Sequence, residues 1–369
     1  MTSPKPIQFF NYGLLATLLV ALPLVACEPG EETNNSDTSN NDEGESTKVT
    51  SGESENPTED GSETGSEEPS TDTGSDSGDP EVFQLRGSCP TNEPVGKFLL
   101  QLTASYTAIS GRIEDGVYPS AFLNEIGSDG DCKLYRRENP ICIPPCEQGQ
   151  TCNHDGMCIE APTAQSVGTA SFSGLVEEVS IEPVEPGFNY SYTELPHPGF
   201  MKGSEITLTT NGVLDQGLTL FGLGIAEIEI NQSEWVIKQG KGIDITWTPS
   251  GDDRLEVVST LNIDQHGNSP ATIICHSPDT GKTEITAGLI AQLIDSGVSG
   301  FPSGTVTRVS GDHSIVTFGN GKSGCVDFSV TNTKQVGVEV EGHIACTSDA
   351  DCPEGQHCDL AIQTCVDDN

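Results

Sequence analysis

The chain has 369 residues, with 56 Asp and Glu against 16 Lys and Arg, and a formal net charge of −40. That balance leaves no basic surface for a nucleic-acid backbone or for anionic lipid headgroups. Only one apolar run, near the N-terminus, is long enough to enter a bilayer, which excludes a polytopic membrane protein. Thirteen cysteines in so acidic a chain point to an oxidising compartment.

Residues 1–26 read as an export signal. Lys5 and the α-amino group supply a weak positive region, and residues 13–26 are almost wholly apolar. The run ends in Leu24-Val25-Ala26-Cys27. This resembles a bacterial lipobox. The resemblance implies that the Cys27 thiol receives diacylglycerol, that the signal is cut before it, and that the new amine is acylated, with palmitate as a typical chain. The alternative is an ordinary signal peptide with an incidental Cys. Two acyl chains already give stable anchoring. Glu28 follows where many inner-membrane lipoproteins carry Asp, so the resemblance implies the outer membrane, periplasmic or surface face undetermined.

Residues 28–81 follow. Fifty-two of these 54 residues are Asp, Glu, Ser, Thr, Gly, Asn or Pro; eighteen are acidic, and Lys48 is the one base. Such a segment buries too little apolar surface to offset its chain entropy and is expected to be a disordered tether. A flexible chain of this length spans roughly 40 Å. No loop of cation-ligand spacing occurs in it.

Residues 82–369 alternate in the period of half-buried strands. Phe98, Leu100, Leu102, Ala104 and Tyr106 form one such set. Others are Ile206 and Leu208; Ile228 and Ile230; Ile243, Ile245 and Trp247; Leu255, Val257, Leu261 and Ile263; Val326, Phe328 and Val330; Val336, Val338 and Val340. Turn residues separate them, as at Asn211-Gly212, 249–252 and Gly319-Asn320-Gly321. The pattern predicts a mainly β protein, an antiparallel β-sandwich. Within residues 286–296 Leu289, Ile290, Leu293 and Ile294 fall at helical spacing before Gly297, which predicts one short helix. The expected organisation is a first β segment at 82–135, a Cys-rich insert at 136–160, the main sandwich at 161–342 and a C-terminal Cys-rich module at 343–369.

With Cys27 set aside, twelve cysteines remain, enough for six disulfides. Cys142, Cys146, Cys152 and Cys158 form one cluster; Cys346, Cys352, Cys358 and Cys365 form another. Both contain C-x-x-G-Q-x-C, at Cys146–Cys152 and Cys352–Cys358, so a small module is repeated. Neither copy has the apolar content for a core, and disulfides are the physical way such a length becomes ordered. Spacing alone permits three connectivities within each cluster. The competing reading is zinc, although C-x5-C is wider than the usual ligand spacing. Cys89, Cys132, Cys275 and Cys325 are expected to pair as Cys89 with Cys132 and Cys275 with Cys325. The clusters resemble EGF-like and Dickkopf N-terminal modules, which implies first-to-third and second-to-fourth pairing.

No helical zinc-hydrolase motif, nucleophile elbow or phosphate-binding glycine loop occurs. The densest polar stretch runs from Asn262 to Ser269 and contains Asp264 and His266, two residues apart. On a strand they would share a face, and a carboxylate could orient the imidazole for acid–base work; the competing reading is a strand end running into a turn. His197 between Pro196 and Pro198 makes either a ligand lip or a rigid corner. Trp235 and Trp247 make either a sugar-stacking platform or core.

The whole layout, with the Asp351-Cys352-Pro353-x-Gly355-Gln356-x-Cys358 module, residues 242–249 and residues 264–268, resembles lipoproteins of myxobacteria and related delta-proteobacteria. That group carries no assigned activity. The expectation is a lipid-anchored envelope protein, with no cofactor beyond the covalent lipid on Cys27 and no metal. It meets the membrane through its anchor and displays a domain that binds an envelope protein or glycan. Two alternatives stand beside it: an envelope hydrolase using Asp264 and His266, and a protease inhibitor acting through the Cys-rich loops.

Overall fold

The computed structural model describes residues 83–212, 217–264 and 270–368. Residues 1–26, on which the expectation of an export signal falls, Cys27 and the acidic segment lie outside the described residues, as does His266. In chain order the strands are β1 (Pro94–Leu102), β2 (Thr107–Ile113), β3 (Leu123–Asp129), β4 (Cys132–Arg137), β5 (Gln150–Cys152), β6 (Cys158–Glu160), β7 (Ala170–Ser173), β8 (Val179–Ile181), β9 (Tyr190–Tyr192), β10 (Glu205–Thr210) and β11 (Leu218–Leu223). They continue with β12 (Glu234–Ile237), β13 (Ile243–Thr246), β14 (Glu256–Asn262), β15 (Ala271–Pro278) and β16 (Lys282–Ile285). Helix α1 (Ala287–Asp295) precedes β17 (Ser303–Thr317), β18 (Ser323–Val340), β19 (Gln356–Asp359) and β20 (Thr364–Asp367). Among the described residues no helix is long and apolar enough to cross a membrane.

The fold is mainly β and layered. One large sheet runs β3-β4-β15-β14-β17-β18-β1-β2-β9, with β12 added to the far end of β18. Pairing is antiparallel except at β18, which takes both β1 and β12 in parallel. The hairpin β17–β18 is the spine. Its strands turn through Gly319-Asn320-Gly321, where the Phe318 N–H donates to Lys322 O at 2.8 Å. Val330 and Val336 belong to the same strand: the polar residues 331–335 between them continue the ladder instead of breaking it. At the other end of the alternating set beginning with Phe98, the strand stops early. β1 ends at Leu102 because the Thr103 hydroxyl accepts from the Ser105 and Tyr106 N–H groups and closes a turn.

Two apolar cores sit on the large sheet. The four-stranded sheet β11-β10-β7-β8 covers one end, burying Phe98, Phe172, Leu208, Leu220 and Phe328. The other end is covered by β12, the pair β13–β16, and α1. The Thr286 hydroxyl caps α1 by accepting from Leu289 N–H; Leu289, Ile290 and Leu293 point into the core. Gly297, at φ +119°, ends it as the sequence predicts.

All twelve described cysteines are bridged, but the pairing within the body differs from the sequence expectation. Cys89 bonds Cys325, and Cys132 bonds Cys275. The expectation followed chain order, whereas the sheet order decides. β4 lies beside β15 with Cys132 directly opposite Cys275. Because β1 runs parallel to β18 from Pro94 opposite Cys325, the segment just before it delivers Cys89 to Cys325. Within the clusters the expected pairing holds: Cys142–Cys152, Cys146–Cys158, Cys346–Cys358 and Cys352–Cys365.

Candidate functional site

A buried polar cluster joins β17 to the residue just after β15. Arg308 on β17 is 2 % exposed and Asp279 is 6 % exposed. Arg308 Nε donates to Asp279 Oδ2 at 2.9 Å, and its other nitrogens reach the carbonyls of Thr248, Glu227 and Ala226. Asp279 also accepts from Trp247 Nε1 at 2.7 Å and Ser250 N–H at 3.0 Å. Burial pushes this carboxyl up, but the donors from Ser250, Arg308 and Trp247 outweigh it and hold the group below the usual Asp value. The carboxylate and the guanidinium are each held by several partners, so the cluster acts as a joint.

The same face of the hairpin continues as a polar ladder. Asp312 accepts from Phe221 N–H, Ser310 from Leu223 N–H, and Asn332 from Ile228 N–H, at 2.7–2.9 Å. These side chains supply the acceptors that β11, an edge strand, and the chain after it otherwise lack. Arg86 closes the ladder with a two-pronged bond to Asp312 at 2.7 and 2.8 Å.

The sequence candidates resolve as follows. Trp235 and Trp247 are each 2 % exposed and belong to the core, not to a stacking platform. Trp235 fits because Gly304 lies over its ring; a Cβ there would stand 2.6 Å from it. His197 is part of a corner: its Nδ1 lies 3.3 Å from the Thr107 hydroxyl, which also accepts from Gly199 N–H. Asp264 is buried beside Ser299, whose hydroxyl donates to it, and the two residues form a parallel bridge. Its carboxylate therefore fastens the segment after α1 to the end of β14. His266 lies outside the described residues, so its geometry against Asp264 does not enter.

Sequence reasoning passed over a surface groove lined by many polar side chains. This groove, of about 610 Å³, runs between the segment at 85–91 and the outer face of β4, β15 and β14. His276 Nδ1 lies 2.8 Å from Glu256 Oε1 across neighbouring strands. Arg86, Lys133, Arg254 and Tyr135 also line it. The three cations are each held by a carboxylate: Arg86 by Asp312, Lys133 by Glu125, and Arg254 by Asp252. The signal was in the alternation: Glu256 and His276 occupy outward positions of strands whose inward positions are Val257 and Cys275.

The two cysteine modules are short ribbons, β5–β6 and β19–β20. In each, three sulfurs lie within 4.8 Å of one another. This closeness is that of adjacent bridges, and bridged sulfur offers no thiolate to a metal. The second module is fastened to the body through His343 Nε2, 2.8 Å from Gly300 O, and through Gly300 N–H donating to Ile362 O. The first is held through His154, whose Nε2 donates to Pro119 O at 2.9 Å and whose ring meets Phe122 edge-on. No protein-family model, curated protein or solved structure matches the chain, so its own geometry carries the functional reading.

Proposed function

We propose that the chain is a cell-envelope lipoprotein whose disulfide-pinned β body binds an envelope protein or glycan. Cys27 carries the lipid, the acidic segment at 28–81 spaces the body from the outer membrane, and residues 82–368 do the binding. The observation that carries this reading is the groove beside β4, β15 and β14. Arg86, Lys133 and Arg254 are each paired with a carboxylate and His276 lies against Glu256, which gives a set pattern of donors and acceptors on a sheet face. A pre-organised polar surface of this kind recognises a ligand at little ordering cost.

The test uses the full chain and, as probes, outer-membrane vesicles and purified peptidoglycan from a Gram-negative bacterium. The expected result is retention on one of them that falls at least tenfold in Glu256→Ala/His276→Ala/Arg254→Ala. Palmitate labelling that is lost in Cys27→Ala checks the anchor. Retention by neither material, or hydrolysis of either that Asp264→Ala/His266→Ala abolishes, would overturn the reading.

A further inference from the structure

The first cysteine module carries a cluster of large apolar side chains that it does not bury. Ile141 is 80 % exposed, Ile143 92 %, Met157 56 % and Ile159 39 %. The bridges bring their backbone positions near one another. Ile141 and Ile143 flank Cys142; Cys142 bonds Cys152; Cys152 stands opposite Cys158; and Met157 and Ile159 flank Cys158. All four therefore sit beside three neighbouring cysteines, with Cys142 itself buried and its two neighbours turned out.

The second module shows that the scaffold does not require them. At the matching places around Cys346 and Cys365 it carries Ala345, Thr347, Thr364 and Val366. Three of the four places thus lose a bulky apolar side chain, Val366 keeps one, and the second module's own exposed apolar residues, Ile344 and Leu360, lie at other places. Large apolar side chains left exposed at four places in one short module mark a contact site.

The surroundings select the occupant. Residues 138–160 contain Glu138, Glu147, Asp155 and Glu160, all exposed, and no Lys or Arg. Exposed apolar side chains in a segment that carries acidic and no basic residues complement an apolar protein surface bordered by Lys and Arg. A second copy of this chain, at net charge −40, brings the wrong sign, and so does an anionic lipid surface. We infer that the first cysteine module is a docking tip for a partner protein that presents an apolar patch ringed by basic residues. The inference rests on the binding role proposed above and names a second contact for it, made of residues other than those that line the groove.

The probe is a 14-residue helical peptide of Leu and Lys, titrated against the full chain in physiological salt. Its controls are the same peptide with Glu for Lys, and phosphatidylcholine–phosphatidylglycerol vesicles. The expected result is binding of the Leu–Lys peptide that weakens at least tenfold in Ile141→Ser/Ile143→Ser/Met157→Ser/Ile159→Ser. In Glu138→Lys/Glu147→Lys/Asp155→Lys/Glu160→Lys the preference should reverse to the Leu–Glu peptide. Leu–Lys binding that the Ser variant leaves intact would overturn the inference, because it would reside in the acidic segment instead. Vesicle binding lost in the Ser variant would also overturn it, in favour of a membrane contact. The groove variant should bind the peptide like the parent chain, so failure at the groove and failure at the tip are read separately.

Discussion

Phe328 in the body is fully buried between two sheets, whereas Ile143 in the first module is 92 % exposed although both belong to ordered segments. The body is long enough to enclose two apolar cores and to satisfy an ion pair, Arg308–Asp279, inside the protein. The modules are too short to enclose anything, and two bridges each replace the core. The difference teaches where sequence change is tolerated. A side chain in the body is constrained by what surrounds it. A side chain on a module is constrained if it is a cysteine, a turn residue or, like His154 and His343, a fastening to the body, which leaves the remaining positions open to recognition.

The largest expected effect lies at the body's joint. Arg308→Ala leaves the Asp279 carboxylate buried without its cation, which costs about 3–5 kcal/mol. Urea denaturation at neutral pH reads this as a lower midpoint. A loss under about 1 kcal/mol would mean that the joint is wetter than its burial indicates, and the contrast with the modules would weaken.

Bridges sharpen the contrast next. Cys132→Ala/Cys275→Ala opens a link of sequence separation 143 within the main sheet, at an expected global cost of about 2–5 kcal/mol. Cys142→Ser/Cys152→Ser opens a link of separation 10. Its effect should be local: limited proteolysis cuts within residues 138–160 while the midpoint of the body moves by less than about 1 kcal/mol. A large global loss from the module variant would show that the module supports the body.

How much of this was legible depended on range. Period-two runs such as Val326, Phe328 and Val330 announced strands because each residue's environment follows from its own neighbours in sequence. The helix with Leu289, Ile290 and Leu293 was legible for the same reason. The module clusters were legible from the repeated spacing, which left three connectivities in each; the pairing itself followed from the resemblance to EGF-like and Dickkopf N-terminal modules. The Cys89 and Cys132 partners were not, since they follow from β1 lying parallel to β18 and β4 lying beside β15, which no local pattern encodes. The Arg308–Asp279–Trp247 joint escaped for that reason too: its members are up to 61 residues apart in sequence (308 − 247 = 61) and meet only once both cores form. Asp264 drew attention as a polar residue in a dense polar stretch, yet its bond to Ser299 makes it a fastener.

Acid separates two carboxylates inside the body. Asp279 sits below the ordinary Asp value, so its contribution is present above the unfolded pKa and is lost as pH falls through the folded one. Asp327 behaves in the opposite sense. Burial raises it, against the pull of the Cys89 N–H at 2.6 Å and of Lys97 and His313 nearby. Its folded carboxyl keeps a proton to higher pH than the unfolded one, so the stability it lends is present below the unfolded pKa, near 3.9, and is lost as pH rises through the folded pKa. Asp327→Asn keeps an acceptor for Cys89 and removes the buried charge. It should stabilise the chain at neutral pH, with the gain shrinking toward pH 3. Denaturation midpoints of both proteins between pH 3 and pH 7 check this; a gain that grows in acid would reverse the assignment.

The smallest expected effect is the sharpest probe of the contrast. Replacing Ile141, Ile143, Met157 and Ile159 together with Ser removes four large apolar side chains, a change that at four core positions would leave no folded protein. Here each side chain already stands in water or half in it, so truncation opens no cavity and strands no polar group. The denaturation midpoint should stay within about 0.5 kcal/mol of the parent. The same measurement on a single body variant, Phe328→Ala, should fall by about 3–5 kcal/mol. If the four-fold module variant lost several kcal/mol, the tips would be packing against one another as a small core. Their exposure would then be a cost of folding the module and not a surface held out for a partner.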